Sequence, residues 1–89
     1  MAEVIVYRGF LKSRSEVQSE RIRKRIDAML KTIEATPGVR SALVADSIRL
    51  AFGNNIRKAL VLPYEIIYEY DPPSDTVYIY ALLYCHSVL

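Results

Sequence analysis

The residues able to do chemistry crowd one end of the chain. Six of the seven tyrosines and the only histidine, His86, lie between Tyr64 and His86, and the only cysteine, Cys85, sits in the same stretch. An imidazole exchanges protons near neutral pH, and phenols stack on bases or donate hydrogen bonds. Cys85 alternates away from His86 along a strand, so a thiol–imidazole pair is not expected, and no neighbouring cation lowers the thiol's pKa. One histidine, one cysteine and scattered carboxylates lack ligand spacing, so no metal site and no cofactor is expected.

What these groups can do depends on the strands that carry them. From Asn55 onward the apolar period is two, and the sequence predicts strands over 55–62, 64–71 and 76–86, broken at Pro63 and at Pro72 to Asp75. The connections are too short for parallel crossovers, so the three form an antiparallel meander. Alternation puts Tyr64, Ile66, Tyr68 and Tyr70 on one face, and Tyr78, Tyr80, Leu82, Tyr84 and His86 on one face of the last strand. Pairing Tyr70 with Thr76 would gather all six tyrosines and His86 on a single face of the hairpin. A slip of one residue would instead set Tyr68 beside Ile79 and split that face in two. The tyrosine face has three readings: cross-strand packing, a stacking platform for single-stranded RNA, or a catalytic or docking surface. The RNA platform fits poorly, because two helices follow each other here where an RNA-recognition motif alternates helices with strands.

The remaining elements must hold this hairpin. Val4 to Tyr7 is β-prone and predicts a first strand over 3–8, with 9–14 as a connection. Ser13 and Glu16 have capping-box spacing, and Ile22, Ile26, Met29, Leu30 and Ile33 form one stripe, which predicts a helix over 14–35 that ends at Pro37 and Gly38. Its outer side carries Arg21, Lys24, Arg25 and Lys31 interleaved with Glu16, Glu20, Asp27 and Glu34, the pattern of a solvated face. Val39 to Phe52 predicts a second helix capped by Gly53 and Asn54. Its apolar residues fall on two flanks, so it is either sandwiched in the fold or offers a groove to a partner.

Size and composition set bounds on this arrangement. The 89 residues suit one domain spanning 1–89, with 52% hydrophobic residues and a net charge of +2 that names no partner. No apolar run approaches membrane-spanning length and the N-terminus lacks a signal-peptide pattern, so a cytoplasmic protein is expected, and a single cysteine suits that compartment. The expected class is α+β: one N-terminal strand, two consecutive helices packed on one face of the sheet, then the three-stranded meander.

Residues 56–86 resemble the RelE/ParE superfamily of bacterial toxins. The resemblance is carried by Arg57-Lys58 entering a strand, Pro63-Tyr64 starting the next, Ile66-Ile67-Tyr68, the acidic turn at Asp71 and Asp75, Val77-Tyr78-Ile79, and His86 near the C-terminus. It implies the toxin half of a type II toxin–antitoxin pair, with a cognate antitoxin as partner; a homodimer is compatible with it. In RelE-like members the target is mRNA in the ribosome, and in ParE-like members it is DNA gyrase.

RNA cleavage by a 2′-hydroxyl needs a base, an acid and cations on the phosphate. The resemblance offers His86 as acid or base, Arg57 as phosphate cation, Tyr84 as phenolic acid or stacking partner, and Tyr68 as an assisting group. The chain departs from the family at Tyr64-Glu65, where many members have tyrosine-arginine, and at Leu82 and Leu83, where an arginine is expected. The tail Ser87-Val88-Leu89 has no basic residue. These departures favour a protein target such as gyrase over mRNA cleavage. A non-catalytic interaction module on the same scaffold is the alternative.

Overall fold

The computed structural model describes residues 2–38, 46–53 and 55–85. Their order is β1 (Glu3–Val6), α1 (Arg8–Ser15), α2 (Glu20–Ala35), α3 (Asp46–Phe52), β2 (Ile56–Val61), β3 (Tyr64–Asp71), a 3-10 turn at Pro72–Ser74 and β4 (Thr76–Tyr84). The strands form one sheet in the order β1-β4-β3-β2, with β2, β3 and β4 antiparallel as expected and β1 parallel to β4. The expected α+β arrangement therefore holds, with a mixed sheet. The predicted strand to residue 86 ends at Tyr84, and His86 lies outside the described residues.

Residues 9–14, expected as a connection, lie in α1, and the helix expected over 14–35 begins only at Glu20. Ser13 lies inside α1, and Ser19 caps α2, its hydroxyl accepting from the Ile22 amide at 3.2 Å. The break lets Val17 enter the core, where it is 2% exposed, and its carbonyl accepts from the Arg23 guanidinium. α1 itself has one buried residue, Phe10, so its eight residues show no apolar stripe that would betray a helix in the sequence. Arg14 grips Asp27 through two bonds of 2.8 and 2.6 Å and ties α1 to α2.

One face of the sheet is dry. Ala59, Ile66, Tyr68, Val77, Ile79 and Leu82 pack there with Phe10, Ile26 and Ile33 of the helices. Burying each large side chain is worth about 1.5–3 kcal/mol, so this layer dominates stability. The long helix was expected there, and it is there. α3 takes the opposite face, where Ile48 and Phe52 pack with Ile56, Ile67 and Tyr80. The sequence placed both helices on one side; the two apolar flanks of the second helix are explained instead by a separate small core, with Leu50 left 89% exposed. Residues 39–45 of the predicted helix lie outside the described residues, as does Asn54; Gly53 closes α3 at φ 108°, a conformation that favours glycine.

The hairpin register divides the tyrosines. Asp71, not Tyr70, pairs with Thr76, which sets Tyr70 against Val77 and Tyr68 against Ile79. The turn fixes this: the Asp75 amide donates to the Pro72 carbonyl at 3.1 Å, and the Ser74 hydroxyl donates to the Asp71 carboxylate at 2.6 Å. A bulge then inserts Tyr80 opposite the Ile67/Tyr68 step, so that Ile66 pairs with Leu82 and Tyr64 with Tyr84. Tyr64, Tyr68, Tyr70 and Tyr84 face the α1–α2 layer, while Tyr78 and Tyr80 face the other way. The single tyrosine face expected from the Tyr70–Thr76 pairing is therefore corrected to two.

Candidate functional site

Arg57 enters β2 on the face shared with Tyr68, its neighbour across β3. It is half-buried and lines a cleft of about 370 Å³ with Asn55, Glu69, Tyr70 and Asp71 at the end of the sheet where β3 outruns β2. Glu69 and Asp71 help wall this cleft, but they alternate to the opposite face of β3, where the Glu69 carboxylate accepts from Tyr80 and the Asp71 carboxylate from Ser74. Tyr70 bonds away from the cleft, donating to Asp75 at 2.9 Å, and this bond to a carboxylate raises the phenol's pKa.

Tyr68 is fully buried beneath the helix layer, and its hydroxyl donates to the Pro37 carbonyl at 3.4 Å. Its ring belongs to the core, which explains why a strand of alternating tyrosines needs an apolar anchor at its centre. Tyr84 lies at the far end, 56% exposed, with its ring edge-on to Tyr64 at 5.6 Å. Four rungs and two strand spacings separate the backbones of Arg57 and Tyr84, roughly 16 Å, with Ala59, Ile66 and Tyr68 of the core between them. The fold thus keeps Arg57 and Tyr84 apart. His86 lies outside the described residues. The chain leading to it passes beside the β2–β3 turn, where the Cys85 amide donates to the Pro63 carbonyl at 2.7 Å, at Tyr84's end of the sheet. Burial, and then the nearby Glu65, push the Cys85 thiol up, against a smaller downward pull from Lys58, a cation that the sequence did not place beside it.

Glu65, which stands where many members of the family have arginine, points to the opposite sheet face from Arg57 and Tyr84, because it pairs with Leu60 and Leu83. That opposite face holds an aromatic group that the sequence did not single out. Tyr80 stacks on Phe52 at 5.9 Å and on Tyr78 at 6.4 Å, and meets the edge of Tyr7 at 4.8 Å. Its hydroxyl donates to Glu69 at 2.7 Å; burial first, and this bond second, hold the phenol protonated far above its usual range. Tyr7 and Phe52 are too distant in sequence from Tyr80 to be linked without the register. Among the described residues no group of three or more histidine, cysteine, aspartate or glutamate side chains could hold a metal ion. No helix among them is long and apolar enough to cross a membrane.

No protein-family profile matches the chain, and no curated protein matches it. Solved structures do. The isolated E. coli RelE toxin superposes with a TM-score of 0.76 over 99% of this chain and 88% of its own, at 11% identity. A chain of the intact E. coli RelBE toxin–antitoxin complex gives 0.72 over 98% and 100%, also at 11% identity. A chain of the archaeal RelE–RelB complex from Pyrococcus horikoshii OT3 gives 0.74 over 98% of both chains, at 14% identity. The chain therefore has the fold of the RelE toxins over its whole length.

Proposed function

We propose that this protein is the toxin of a toxin–antitoxin pair and that a cognate antitoxin binds it. The observation that carries the reading is the coverage: chains of RelE toxin structures, two of them from complexes with an antitoxin, match 98–99% of this chain. The motifs around Arg57, Pro63-Tyr64 and Val77-Tyr78-Ile79, which resemble the same family in sequence, support it independently of the fold.

A protein target such as DNA gyrase is preferred over RNA. Phosphate chemistry needs its cation and its acid within a few ångströms of one another. Here Arg57 is the one cationic residue among those lining its cleft, Tyr68 is sealed in the core, and Tyr84 stands at the other end of the sheet. Ribosome-dependent mRNA cleavage is the second reading, favoured by the fact that all three similar structures are of RelE proteins; Arg57 and His86 would be its residues.

Induced alone in bacteria, the protein is expected to arrest growth, and a folded Arg57→Ala or His86→Ala variant is expected to weaken the arrest. Continued growth with folded protein accumulating would end the toxin reading in favour of an interaction module. Purified protein tested for gyrase inhibition and for ribosome-dependent cleavage separates the targets; cleavage without gyrase inhibition would overturn the preference.

A further inference from the structure

The sheet face turned away from α1 and α2 is covered by α3 along β2, at Ile67 of β3 and over β4 from Tyr80 onward, where Phe52 stacks on the Tyr80 ring. Over β1 and the start of β4 it carries two adjacent rows of side chains. The pairing places Glu3, Thr76 and Asp71 in one row, and Ile5, Tyr78 and Glu69 in the next. Beyond them Tyr80 and Tyr7 continue the face, with ring planes of Tyr78 and Tyr80 within 11° of parallel. Strand spacing sets Glu3 and Asp71 about 10 Å apart, with Glu69 about one row further on.

The exposed members make this a surface and not a core. Ile5 is 41% and Tyr7 45% exposed, Glu3 is exposed, and Glu69, Asp71 and Tyr78 are half-buried. Asp75 closes the row's edge through its backbone, its carbonyl accepting from the Glu3 amide, while its carboxylate accepts from Tyr70 of the other face. The cations nearest by position are Lys58 on β2, Arg49 on α3, Arg8 opening α1, and Arg57, which lines the adjoining cleft from the other face. None of them stands in the two rows. Eight of the 12 lysines and arginines instead lie between Arg8 and Lys31, in the helical part of the chain. On this face Lys58 and Arg49 stand toward β2 and α3, so the part over β1 and the start of β4 carries carboxylates among tyrosines, while the helix side carries eight cations against Glu16, Glu20, Asp27 and Glu34.

We propose that the rows Glu3–Thr76–Asp71 and Ile5–Tyr78–Glu69, with Tyr7 and Tyr80, dock an arginine-bearing segment of a partner protein. Aromatic rings on a sheet also suit nucleic acid, but a phosphate backbone brings negative charge onto three carboxylates, and the sign excludes it. A guanidinium has the opposite requirements. It stacks on a phenol face and donates two parallel bonds to one carboxylate, and here the Tyr78 ring stands between Glu3 and Glu69 on adjoining strands. Ile5 supplies apolar surface for the arginine stem. The inference rests on this surface alone and stands apart from the toxin reading; growth arrest tests one and peptide binding the other.

The test uses the full chain and four probes: an acetylated peptide of six arginine-alanine repeats, its lysine and glutamate counterparts, and a 12-nucleotide polyuridine. Binding is followed by amide NMR shifts. The arginine peptide is expected to bind saturably, more tightly than the lysine peptide, with shifts concentrated in Glu3 to Tyr7 and Tyr78 to Tyr80. Glu3→Gln and Glu69→Gln should each weaken it about two- to fivefold, and Tyr78→Leu by a similar factor, while Arg21→Gln on α2 leaves it unchanged. Glu3→Gln is the decisive variant, because an exposed edge position does not threaten folding. Absence of saturation by about 1 mM, equal binding of the glutamate peptide, polyuridine shifts in these rows, or self-association through them without peptide would each overturn the proposal.

Discussion

The two faces of the sheet are built from the same strands and share the same residue types, yet one is a core and the other a surface. On the α1–α2 side, Tyr68 is buried with Phe10, Ile26 and Ile33 around it. On the α3 side, Tyr80 is ringed by other aromatics and bonded to a carboxylate. The difference comes from the register and one inserted residue. The Asp71–Thr76 pairing turns Tyr78 and Tyr80 away from the helix layer and the bulge at Tyr80 returns Leu82 and Tyr84 to it, so a strand that reads as a uniform run of tyrosines serves two environments. Tyrosine tolerates both because its ring is apolar and its tip is not.

Matched truncations measure that contrast most strongly. Phe10→Ala, at a site with no exposure, is expected to cost about 3–5 kcal/mol in urea denaturation, from lost burial and the cavity left behind. Phe52→Ala removes the same side chain from the half-buried α3 side and should cost only about 1–2 kcal/mol. Equal losses would mean that the α3 cluster is as much a core as the other, and the division of the sheet would fall.

Much of this fold was legible from periodicity. The meander, its strand limits at 64–71 and the long helix stripe at Ile26 and Ile33 follow from spacing alone, because a period of two or 3.6 is imposed by which side chains must be buried. The break at residues 16–19 was not legible, since Ser13-Glu16 and Ser19 are all plausible caps and only the core's demand for Val17 decides between them. Register was the larger loss. Nothing local distinguishes Tyr70–Thr76 from Asp71–Thr76 pairing until the Ser74 and Asp75 bonds of the turn are seen, and every statement about which tyrosines share a face inherits that choice. The candidate site suffered accordingly: Arg57 and Tyr84 match a family pattern in sequence, but the number of rungs between them is a property of the sheet.

The polar latches on the two sides should respond to opposite ends of the pH scale. On the α3 side, Tyr80 must stay protonated to donate to Glu69, and burial together with that bond raises its pKa. A group whose folded pKa is raised contributes fully below its unfolded pKa, about 10 for tyrosine, and loses that contribution as the pH rises through the folded value. Tyr80→Phe should therefore cost about 1 kcal/mol at pH 7, with the gap to the native chain shrinking above about pH 10. A gap that persisted into alkali would show that ring packing, and not the hydroxyl, is what the variant disturbs.

On the helix side the latch is ionic and its sign reverses. The bonds from Arg14 hold the Asp27 carboxyl below its usual range, against an opposing contribution from burial, and the charges of Arg14, Lys31 and Arg23 add to the depression. A depressed folded pKa contributes stability above the unfolded value, about 4, and loses it as the pH falls through the folded one. Both side chains keep a third or more of their surface in water, at 33% and 47%, so screening limits the pair to about 0.5–1 kcal/mol despite its bidentate geometry. Asp27→Asn should lower stability by that amount at pH 7, and the difference should narrow steadily between about pH 5 and pH 3 and diminish in high salt. An unchanged difference in acid would mean that the asparagine disturbs the α1–α2 packing itself, because protonating the native aspartate would then have failed to reproduce the loss.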